Sequence, residues 1–278
     1  LTSSAGQLPL PGEETPSLET GQGELGKVVK LNAKPGDWAT YQGNNHRIPT
    51  SSASIPKKVE KQWSFTSPNK AMPTAPVVAG DLVFVGDRAG TIRAIDTDGK
   101  LKWKAYVGGA IYFPPTISNN RAYVGSADGR VYAFEAATGR PLWSFRVAPG
   151  NSRISMFGKL ISTWPVAGGV IVEDGTVYAA AGITHYDGTH VVALDAVTGK
   201  LMWRNDSSGS LSGKVNSGVS MQGDLFLQDG ELCFLGGGVY ETARFDLNSG
   251  KCLNTPKEDP RSQFRTAFYP YYPEYGNY

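Results

Sequence analysis

The sequence predicts an all-β protein, a β-propeller built from four-stranded antiparallel blades. One short phrase recurs along the 278 residues and ends in Trp in three of its copies, at Trp103, Trp143 and Trp203. Alternating β-branched and aromatic residues precede each copy, and 34 glycines and 18 prolines provide for many tight turns. Repetition at about 40 residues, with four predicted strands in each copy, is typical of propeller blades.

The repeated phrase begins with Ala, contains an acidic residue followed by a Gly, and ends with Trp. Its copies are AIDTDGKLKW (94–103), AFEAATGRPLW (133–143), ALDAVTGKLMW (193–203) and a degenerate ARFDLNSGKCLN (243–254) that lacks the Trp. A segment VEKQWSF carries Trp63 at the same spacing before Trp103. We expect this segment to be the outer strand of a blade whose inner strands are not evident in the chain.

An acid ends the third strand of each blade, and a Gly follows it in the turn. The carboxylate can accept backbone N–H bonds across the turn, and Gly supplies the positive φ that a tight hairpin needs. The Trp of the fourth strand is predicted to pack between neighbouring blades. We interpret these residues as structural blade-docking groups and not as catalytic ones: Asp96, Glu135, Asp195 and Asp246, with Trp63, Trp103, Trp143 and Trp203.

Four blades are predicted between the arm and the C-terminal segment. Blade one comprises PVVAG, LVFVGD, TIRAID and LKWKAYV; blade two PTISN, RAYVGS, RVYAFE and LWSFRV; blade three PVAGGVIVED, TVYAAAG, HVVALD and LMWRND; blade four MQGDLFLQDG, ELCFLGG, ARFDL and KCLNT. The spacing from Trp143 to Trp203 is longer than that between the earlier tryptophans, and we assign the additional residues to loops 148–163 and 182–190. Extra length in a repeat protein falls in loops on one face, often the binding face.

The chain is divided into three parts. Residues 1–36 are rich in Pro, Gly, Ser and Glu, so we expect an extended or flexible arm, either mobile or lying on a neighbouring surface. The blades are assigned to residues 37–255. Residues 256–278 form an aromatic-rich C-terminal segment, and this richness argues against disorder.

Composition excludes several classes of protein. Lys and Arg number 27 against 25 Asp and Glu, so charge gives no indication of nucleic acid or an anionic membrane surface. No apolar run is long enough for a transmembrane segment. Cys233 and Cys252 fall on the second and fourth predicted strands of one blade, too far apart for a disulfide, so two thiols are expected. The opening LTSSAGQ is compatible with a processed, extracytoplasmic protein of the periplasm, cell surface or medium.

The phrase A-x-D-x-x-T-G-x-x-x-W resembles the tryptophan-docking motif of PQQ-like (quinoprotein alcohol dehydrogenase-like) β-propellers, over about residues 37–255. The resemblance is strongest at 133–143 and 193–203, and residues 159–183 resemble a bacterial extracytoplasmic branch. That superfamily includes PQQ-dependent alcohol dehydrogenases and the non-enzymatic lipoprotein of outer-membrane assembly, which this chain resembles more. Its propellers commonly have eight blades, which implies that this chain holds about four blades of a larger, here incomplete, propeller.

The resemblance raises the question of PQQ and calcium. The dehydrogenases hold PQQ against a pair of adjacent cysteines and bind Ca²⁺ through acid and amide side chains. Cys233 and Cys252 are not adjacent, and the six to eight oxygen ligands that Ca²⁺ needs are not evident in the sequence. No cofactor is therefore expected. The alternative is a PQQ- and calcium-dependent oxidoreductase whose missing part supplies those groups.

Two sets of loop residues are candidates for sites. His185, Asp187 and His190 lie within six residues and could form a metal site of two imidazoles and a carboxylate, although turns use the same residues routinely. Loops on one propeller face are predicted to form an interaction face, because Arg and aromatic residues suit interfaces. Its members are Arg88, Asp128, Arg153, Trp164, His185 and Tyr186. The alternative is that these are solvated loop residues around a buried Trp.

An open fan of blades exposes apolar surfaces and is expected to find partners. We therefore expect a non-enzymatic scaffold or protein-interaction subunit. The chain is either a fragment of a longer protein or one part of a split propeller that a protein partner or a second chain completes. Glycan binding is a further alternative to the oxidoreductase, motivated by Tyr112, Phe113 and Trp164.

Overall fold

The computed structural model describes residues 17–51, 54, 56–156, 158–184, 187–211, 218–237 and 240–256. These residues form antiparallel sheets arranged as four consecutive propeller blades, and the sheets do not close into a ring. The predicted fold is confirmed. Among the described residues, no helix has the length and hydropathy needed to cross a bilayer.

The strand bounds match the four predicted blades. Blade one is β2 (Val77–Ala79), β3 (Leu82–Gly86), β4 (Thr91–Asp96) and β5 (Leu101–Tyr106); blade two is β6 (Thr116–Ser118), β7 (Arg121–Gly125), β8 (Arg130–Glu135) and β9 (Pro141–Arg146). Blade three is β12 (Ile171–Glu173), β13 (Thr176–Ala181), β14 (His190–Asp195) and β15 (Leu201–Asn205); blade four is β16 (Leu225–Gln228), β17 (Glu231–Leu235) and β18 (Thr242–Asp246).

Side chains alternate between the two faces of each blade, and both faces are apolar where blades meet. Three apolar clusters result, one between each pair of neighbouring blades. The first includes Phe84, Ile92, Val124 and Phe134; the second Val131, Phe145, Val177 and Leu194; the third Ile171, Val191, Leu232 and Phe245. Burial of these clusters holds the fan together.

Each docking Trp reaches the turn of the following blade. In each case the indole Nε1 donates to a backbone carbonyl oxygen of that turn. The pairs are Trp63 to Thr97 (2.8 Å), Trp103 to Ala136 (2.9 Å), Trp143 to Ala196 (3.2 Å) and Trp203 to Leu247 (2.9 Å). A Cβ on the turn glycine would lie within 2.9 Å of the indole in all four cases. The indole therefore packs directly against the turn residue, and only Gly leaves enough room for it at that position.

The acid of the phrase organises the same turn. Asp195 accepts hydrogen bonds from the amide (2.7 Å) and hydroxyl (2.6 Å) of Thr198, and Asp246 does the same with Ser249 (2.8 and 2.6 Å). Asp96 accepts two backbone amides of its own turn. Each carboxylate holds the glycine turn in the shape on which the preceding Trp docks.

An inner-edge segment, residues 37–48, crosses the free edges of the first strands of all four blades. It includes a short 3-10 turn at Tyr41–Gly43. Its contacts, in blade order, are Val78 N to Trp38 O (2.9 Å), Ile117 N to Ala39 O (2.7 Å), Asn45 Nδ2 to Val172 O (2.8 Å) and Leu227 N to Asn45 O (2.8 Å). Backbone groups that would otherwise be unpaired are thus satisfied by the chain itself.

The described part of the N-terminal arm lies on blade two. Strand β1 (Leu18–Thr20) adds antiparallel to β9 as a fifth strand. Further along, the amide of Val29 donates to Glu135 (2.7 Å) and the amide of Leu31 to Asn120 (2.9 Å). Residues 17–31 therefore take the extended, surface-bound form. The boundaries 1–36, 37–255 and 256–278 stay predictions, and residues 257–278 lie outside the described part.

Three expectations about strands were wrong. No strand forms at 59–65, because a strand needs a neighbour and the described residues provide none there. The fourth strand of blade four is reduced to one bridge, between Phe245 and Cys252. Loop 148–163 contains a hairpin, β10 (Arg153–Met156) paired with β11 (Lys159–Ser162). The expectation of two thiols is confirmed, since Cys233 and Cys252 are free.

Candidate functional site

A cleft of about 700 Å³ opens on the face where the loops between second and third strands meet the connections between blades. Loops from blades one to three and the inner-edge segment converge on it. Its lining is Tyr41, Pro73, Thr74, Ala75, Arg88, Tyr112, Phe113, Pro114, Met156, Ile161, Pro165, Ala167 and Ile183. Apolar and aromatic surface predominates, with one charged side chain among these residues.

That charged residue is Arg88, in the turn between β3 and β4. Asp87 shapes the turn, accepting the amides of Ala89 (2.8 Å) and Thr91 (3.0 Å). The Arg88 guanidinium lies 4.1 Å from the centre of the Tyr112 ring. It donates no hydrogen bond within the described residues, so the stack over Tyr112 presents a cation without a counter-ion to the cleft.

The floor of the cleft comes from the inner-edge segment. Tyr41 meets Phe113 edge to face, with ring centres 5.1 Å apart, and the Arg47 guanidinium lies 5.6 Å from the Tyr41 ring centre. Arg47 is buried and donates to Leu225 O (2.8 Å) and Tyr41 O (2.7 Å). Burial lowers the pKa of Arg47 against the attraction of Asp224. Arg47 thus joins blade four to the cleft floor.

The β10–β11 hairpin forms one wall. Met156 and Ile161 face the cleft, and Ile154, which is 38% exposed, shares their face of the hairpin. Lys159 Nζ donates to the carbonyl oxygen of Arg88 at 3.0 Å, which ties the hairpin to blade one. Arg153 is exposed on β10, on the opposite face of the hairpin. The wall therefore extends the apolar surface of the cleft through Ile154 and adds one cation, Lys159, next to Arg88.

The other members of the predicted interaction face are placed differently. Asp128 is engaged within the protein, since it accepts the Tyr132 hydroxyl (2.5 Å) and the Arg130 amide (3.1 Å). Trp164 is 5% exposed and its indole donates to Asp187 O, so its expected surface role is wrong. Its contacts with Asp187 O and with the His190 ring, whose centre is 5.9 Å away, account for its burial. His185 and Tyr186 lie outside the described residues.

The candidate metal residues are only partly described. His190 is buried, with Nδ1 2.6 Å from Asp206 Oδ1 and Trp164 against its ring. The Asp187 carboxylate accepts the Thr184 hydroxyl (2.5 Å). The described residues contain no group of three or more His, Cys, Asp or Glu side chains that could hold a metal. Because His185 is not among them, the predicted set stays a prediction.

The residues of the cleft do not fit PQQ with calcium. Among the lining residues no side chain is a carboxylate or an amide, whereas Ca²⁺ requires several such oxygens. The free thiols lie on blade four: Cys233 is buried and burial raises its pKa to about 11, so it is not a reactive thiolate. No chemical step is therefore derived through that cofactor.

Comparison with known proteins agrees with the docking geometry. A family model described as outer membrane protein assembly factor BamB matches residues 56–161 and 152–267. The chain belongs to the BamB family. A BamB of Burkholderia pseudomallei (strain K96243) is 31% identical over 193 residues, which cover 63% of this chain and 42% of that protein.

Other relatives carry enzyme names. The dehydrogenase subunit of a quinone alcohol dehydrogenase from Komagataeibacter europaeus is 26% identical over 68% of this chain and 28% of its own length. A europium-containing methanol dehydrogenase structure superimposes with a TM-score of 0.59 at 15% identity, covering 81% of this chain and 49% of that chain, which shows the fold alone. This BamB-family chain spans less than half the length of these relatives.

The sequence indicated Arg88 as an interaction residue and Tyr112 and Phe113 as glycan-binding candidates, but it did not indicate the rest of the cleft. Tyr41, Met156 and Ile183 come from three separate segments that only the fold brings together. The motif D-W-x-x-Y at 37–41, outside any repeat, was the available signal for Tyr41. The sequence gave a weaker indication of the β10–β11 hairpin. Gly158, which has a positive φ, is the one turn-favouring residue between its two short apolar runs.

Proposed function

We propose that this BamB-family chain is a non-enzymatic, extracytoplasmic scaffold that binds protein partners in the assembly of outer membrane proteins, with no cofactor. The name of the Burkholderia relative supports a role in outer membrane protein assembly. The cleft supports the binding of protein partners as the way in which the chain acts. The observation that carries the proposal is the Arg88–Tyr112 stack at the rim of an apolar cleft.

The cleft favours a particular kind of partner surface. Its apolar walls suit aliphatic or aromatic side chains, and Arg88 with the adjacent Lys159 suits an acidic residue beside them. The described cleft residues offer no nucleophile–base pair, so binding accounts for them better than catalysis does. A protein segment with an acidic residue next to a large apolar one has the matching chemistry.

The test is complementation of a strain that lacks the gene, using the full-length protein. Arg88→Glu inverts the charge of the cleft, and the exposed Lys102→Glu, on the outer strand of blade one, is the control with the same charge change. We expect Arg88→Glu to lower the amount of outer membrane proteins recovered in the membrane fraction, and Lys102→Glu to leave it unchanged. Equal recovery with both variants would contradict the assigned cleft.

Two further measurements separate the alternatives. A quinone absorption band with stoichiometric calcium in the purified full-length protein would favour the oxidoreductase. Binding on a glycan array that Tyr112→Ala abolishes would favour a glycan-binding module. We expect neither result.

A further inference from the structure

Two non-glycine residues of the inner-edge segment lie in the left-handed region of backbone conformation. Gln42 has φ 54° and Arg47 has φ 57°. This conformation is unfavourable for a residue with a Cβ, persists only where surrounding contacts hold it, and is concentrated at functional sites. Gln42 follows Tyr41, which lines the cleft, and Arg47 turns its side chain back to the carbonyl oxygen of Tyr41. The strained backbone therefore bears on the position of Tyr41.

The Arg47 guanidinium is held from two sides. On blade four, its Nε donates to Leu225 O at 2.8 Å and lies 3.3 Å from the Asp224 carboxylate. On the inner-edge segment, its Nη1 donates to three oxygens: Tyr41 O (2.7 Å), Thr40 Oγ1 (3.2 Å) and Asn44 O (3.2 Å). A planar fork of donors can bond both sides at once, whereas the single ammonium of a Lys cannot.

Thr40 carries the connection on to blades two and three. Its Oγ1 lies 2.9 Å from Thr116 Oγ1, and the Thr116 hydroxyl donates to Val170 O at 2.9 Å. A hydroxyl has one hydrogen, so Thr40 is the donor in the bond between the two threonines. Both threonines are buried. A directed chain of hydrogen bonds thus runs from Arg47 through Thr40 and Thr116 to Val170, directly before the first strand of blade three.

Tyr41 is the point at which this chain meets the cleft. One side of its ring faces the Arg47 guanidinium, 5.6 Å from the ring centre, and its edge-to-face contact with Phe113 has ring centres 5.1 Å apart. Both rings line the cleft. Arg47 does not line it, and its side chain is 8% exposed. Arg47 can therefore fix the floor of the cleft without touching what binds there.

We propose that Arg47 is a positioning residue of the cleft: it holds Tyr41 against Phe113 and thereby sets how tightly the cleft binds an apolar group that carries a negative charge. Among the described residues, no lining residue belongs to blade four, so Asp224 and Leu225 act on the cleft through Arg47. This inference rests on the cleft being the binding site of the proposed function. If Arg47 only stabilised the fold, its replacement would leave the cleft of the folded protein unchanged.

Fluorine NMR of the full chain without a ligand tests the position of the floor. A 4-fluorophenylalanine replaces Phe113, and Tyr41→Ala gives the resonance expected when the neighbouring ring is absent. We expect Arg47→Met and Arg47→Lys both to move the resonance of the folded protein toward that of Tyr41→Ala, because neither can bond Leu225 O and Tyr41 O together. Lys34→Met, at an exposed ion pair, should leave it in place. A resonance that stays at the wild-type position in both Arg47 variants would overturn the proposal.

Fluorescence titration with 1-anilinonaphthalene-8-sulfonate tests the consequence for binding. This probe combines apolar rings with one negative charge, as the cleft and Arg88 require. We expect Arg47→Met to bind it about 3- to 10-fold more weakly than the wild type, the range for loss of an aromatic contact. Gly139→Ala is the control with lowered stability, since its Cβ would lie 2.5 Å from the Trp103 ring at a seam between blades. It should bind the probe as the wild type does.

Three results of the titration would overturn the proposal. They are wild-type affinity in Arg47→Met, equal weakening in Arg47→Met and Gly139→Ala, and a wild type without saturable binding. Failure of the proposed function is read separately, from outer membrane protein recovery with Arg88→Glu. If that recovery is normal while Arg47→Met moves the fluorine resonance and weakens probe binding, the scaffold role of the cleft fails and the positioning role of Arg47 stands.

Discussion

Tyr123 and Trp143 both donate hydrogen bonds to one atom, the carbonyl oxygen of Ala196 in the next blade, at 2.9 and 3.2 Å. The two rings lie 5.9 Å apart and both side chains are buried. A single turn of blade three is thus held by two aromatic side chains of blade two. The position of one blade relative to the next is therefore set by contacts between side chains and turns, and not by hydrogen bonds between strands of different blades.

The glycine of the docking turn should be needed for close packing as well as for its backbone conformation. Gly139 has φ +76° and a Cβ there would lie 2.5 Å from the Trp103 ring, whereas Gly175 has φ +77° with nothing within 4 Å. Both Ala variants carry the strain of a positive φ, about 1 kcal/mol. We expect Gly139→Ala to lower the free energy of unfolding by about 2 kcal/mol more than Gly175→Ala. Equal losses in chemical denaturation would contradict the contact.

Turn carboxylates should make stability depend on acid pH. Burial by itself raises the pKa of Asp195, but hydrogen bonds from the hydroxyl and amide of Thr198 outweigh it and hold the pKa below its ordinary value. The folded state therefore binds this proton less readily than the unfolded state. The stabilisation is present above the unfolded pKa of about 4 and is lost as the pH falls through the folded value.

Asp195→Asn is expected to cost about 1 kcal/mol at pH 7, where the charge-assisted bonds are lost. The difference from wild type should shrink as the pH drops below about 4, when measured by denaturant titration. Asp98→Asn, at an exposed position of the equivalent turn in blade one, should change the free energy of unfolding at pH 7 by less than about 0.5 kcal/mol. A gap that stays constant down to the lowest pH would refute the role of the Asp195 charge.

Arg47 should hold the inner-edge segment across the blades. Its side chain is 8% exposed and bonds Leu225 O and Tyr41 O, besides approaching Asp224 at 3.3 Å. Arg47→Met keeps most of the volume but leaves these carbonyls unpaired, so we expect a loss of about 2 kcal/mol or more and faster exchange in residues 38–48. Lys34→Met breaks an exposed, solvent-screened ion pair with Asp81 and should lower the free energy of unfolding much less than Arg47→Met does. Similar losses for the two variants would show that Arg47 does not hold the segment.

Local patterns predicted the blades well, because each strand is bounded by its own turn residues and each docking phrase is contiguous. Trp103 and Gly139 illustrate this: both lie in copies of the phrase. The prediction of a strand around Trp63 was wrong because a strand depends on a neighbour that the phrase does not contain. The hairpin at 153–162 was missed because its pairs, such as Ile154 with Ile161, resemble loop sequence when read alone.

The cleft was beyond local patterns for a different reason. Arg47 and Leu225 are 178 residues apart in the sequence, and Tyr41 meets Phe113 across two blades. Such contacts arise only when the fan is assembled. Burial of Trp164 was one of two alternatives that the sequence left open, since a loop Trp beside Pro gives no sign of which residues will cover it.

The central claim is that each docking tryptophan holds one blade to the turn of the next. Chemical denaturation of Trp103→Ala and Trp63→Ala tests it most directly, because the two rings contact equivalent turn glycines. Trp103 lies on strand β5 and is 8% exposed, whereas Trp63 is half-buried in a segment that forms no strand. We predict a loss of about 3–5 kcal/mol for Trp103→Ala and under about 1.5 kcal/mol for Trp63→Ala. Equal losses, or a larger one at Trp63, would contradict the account.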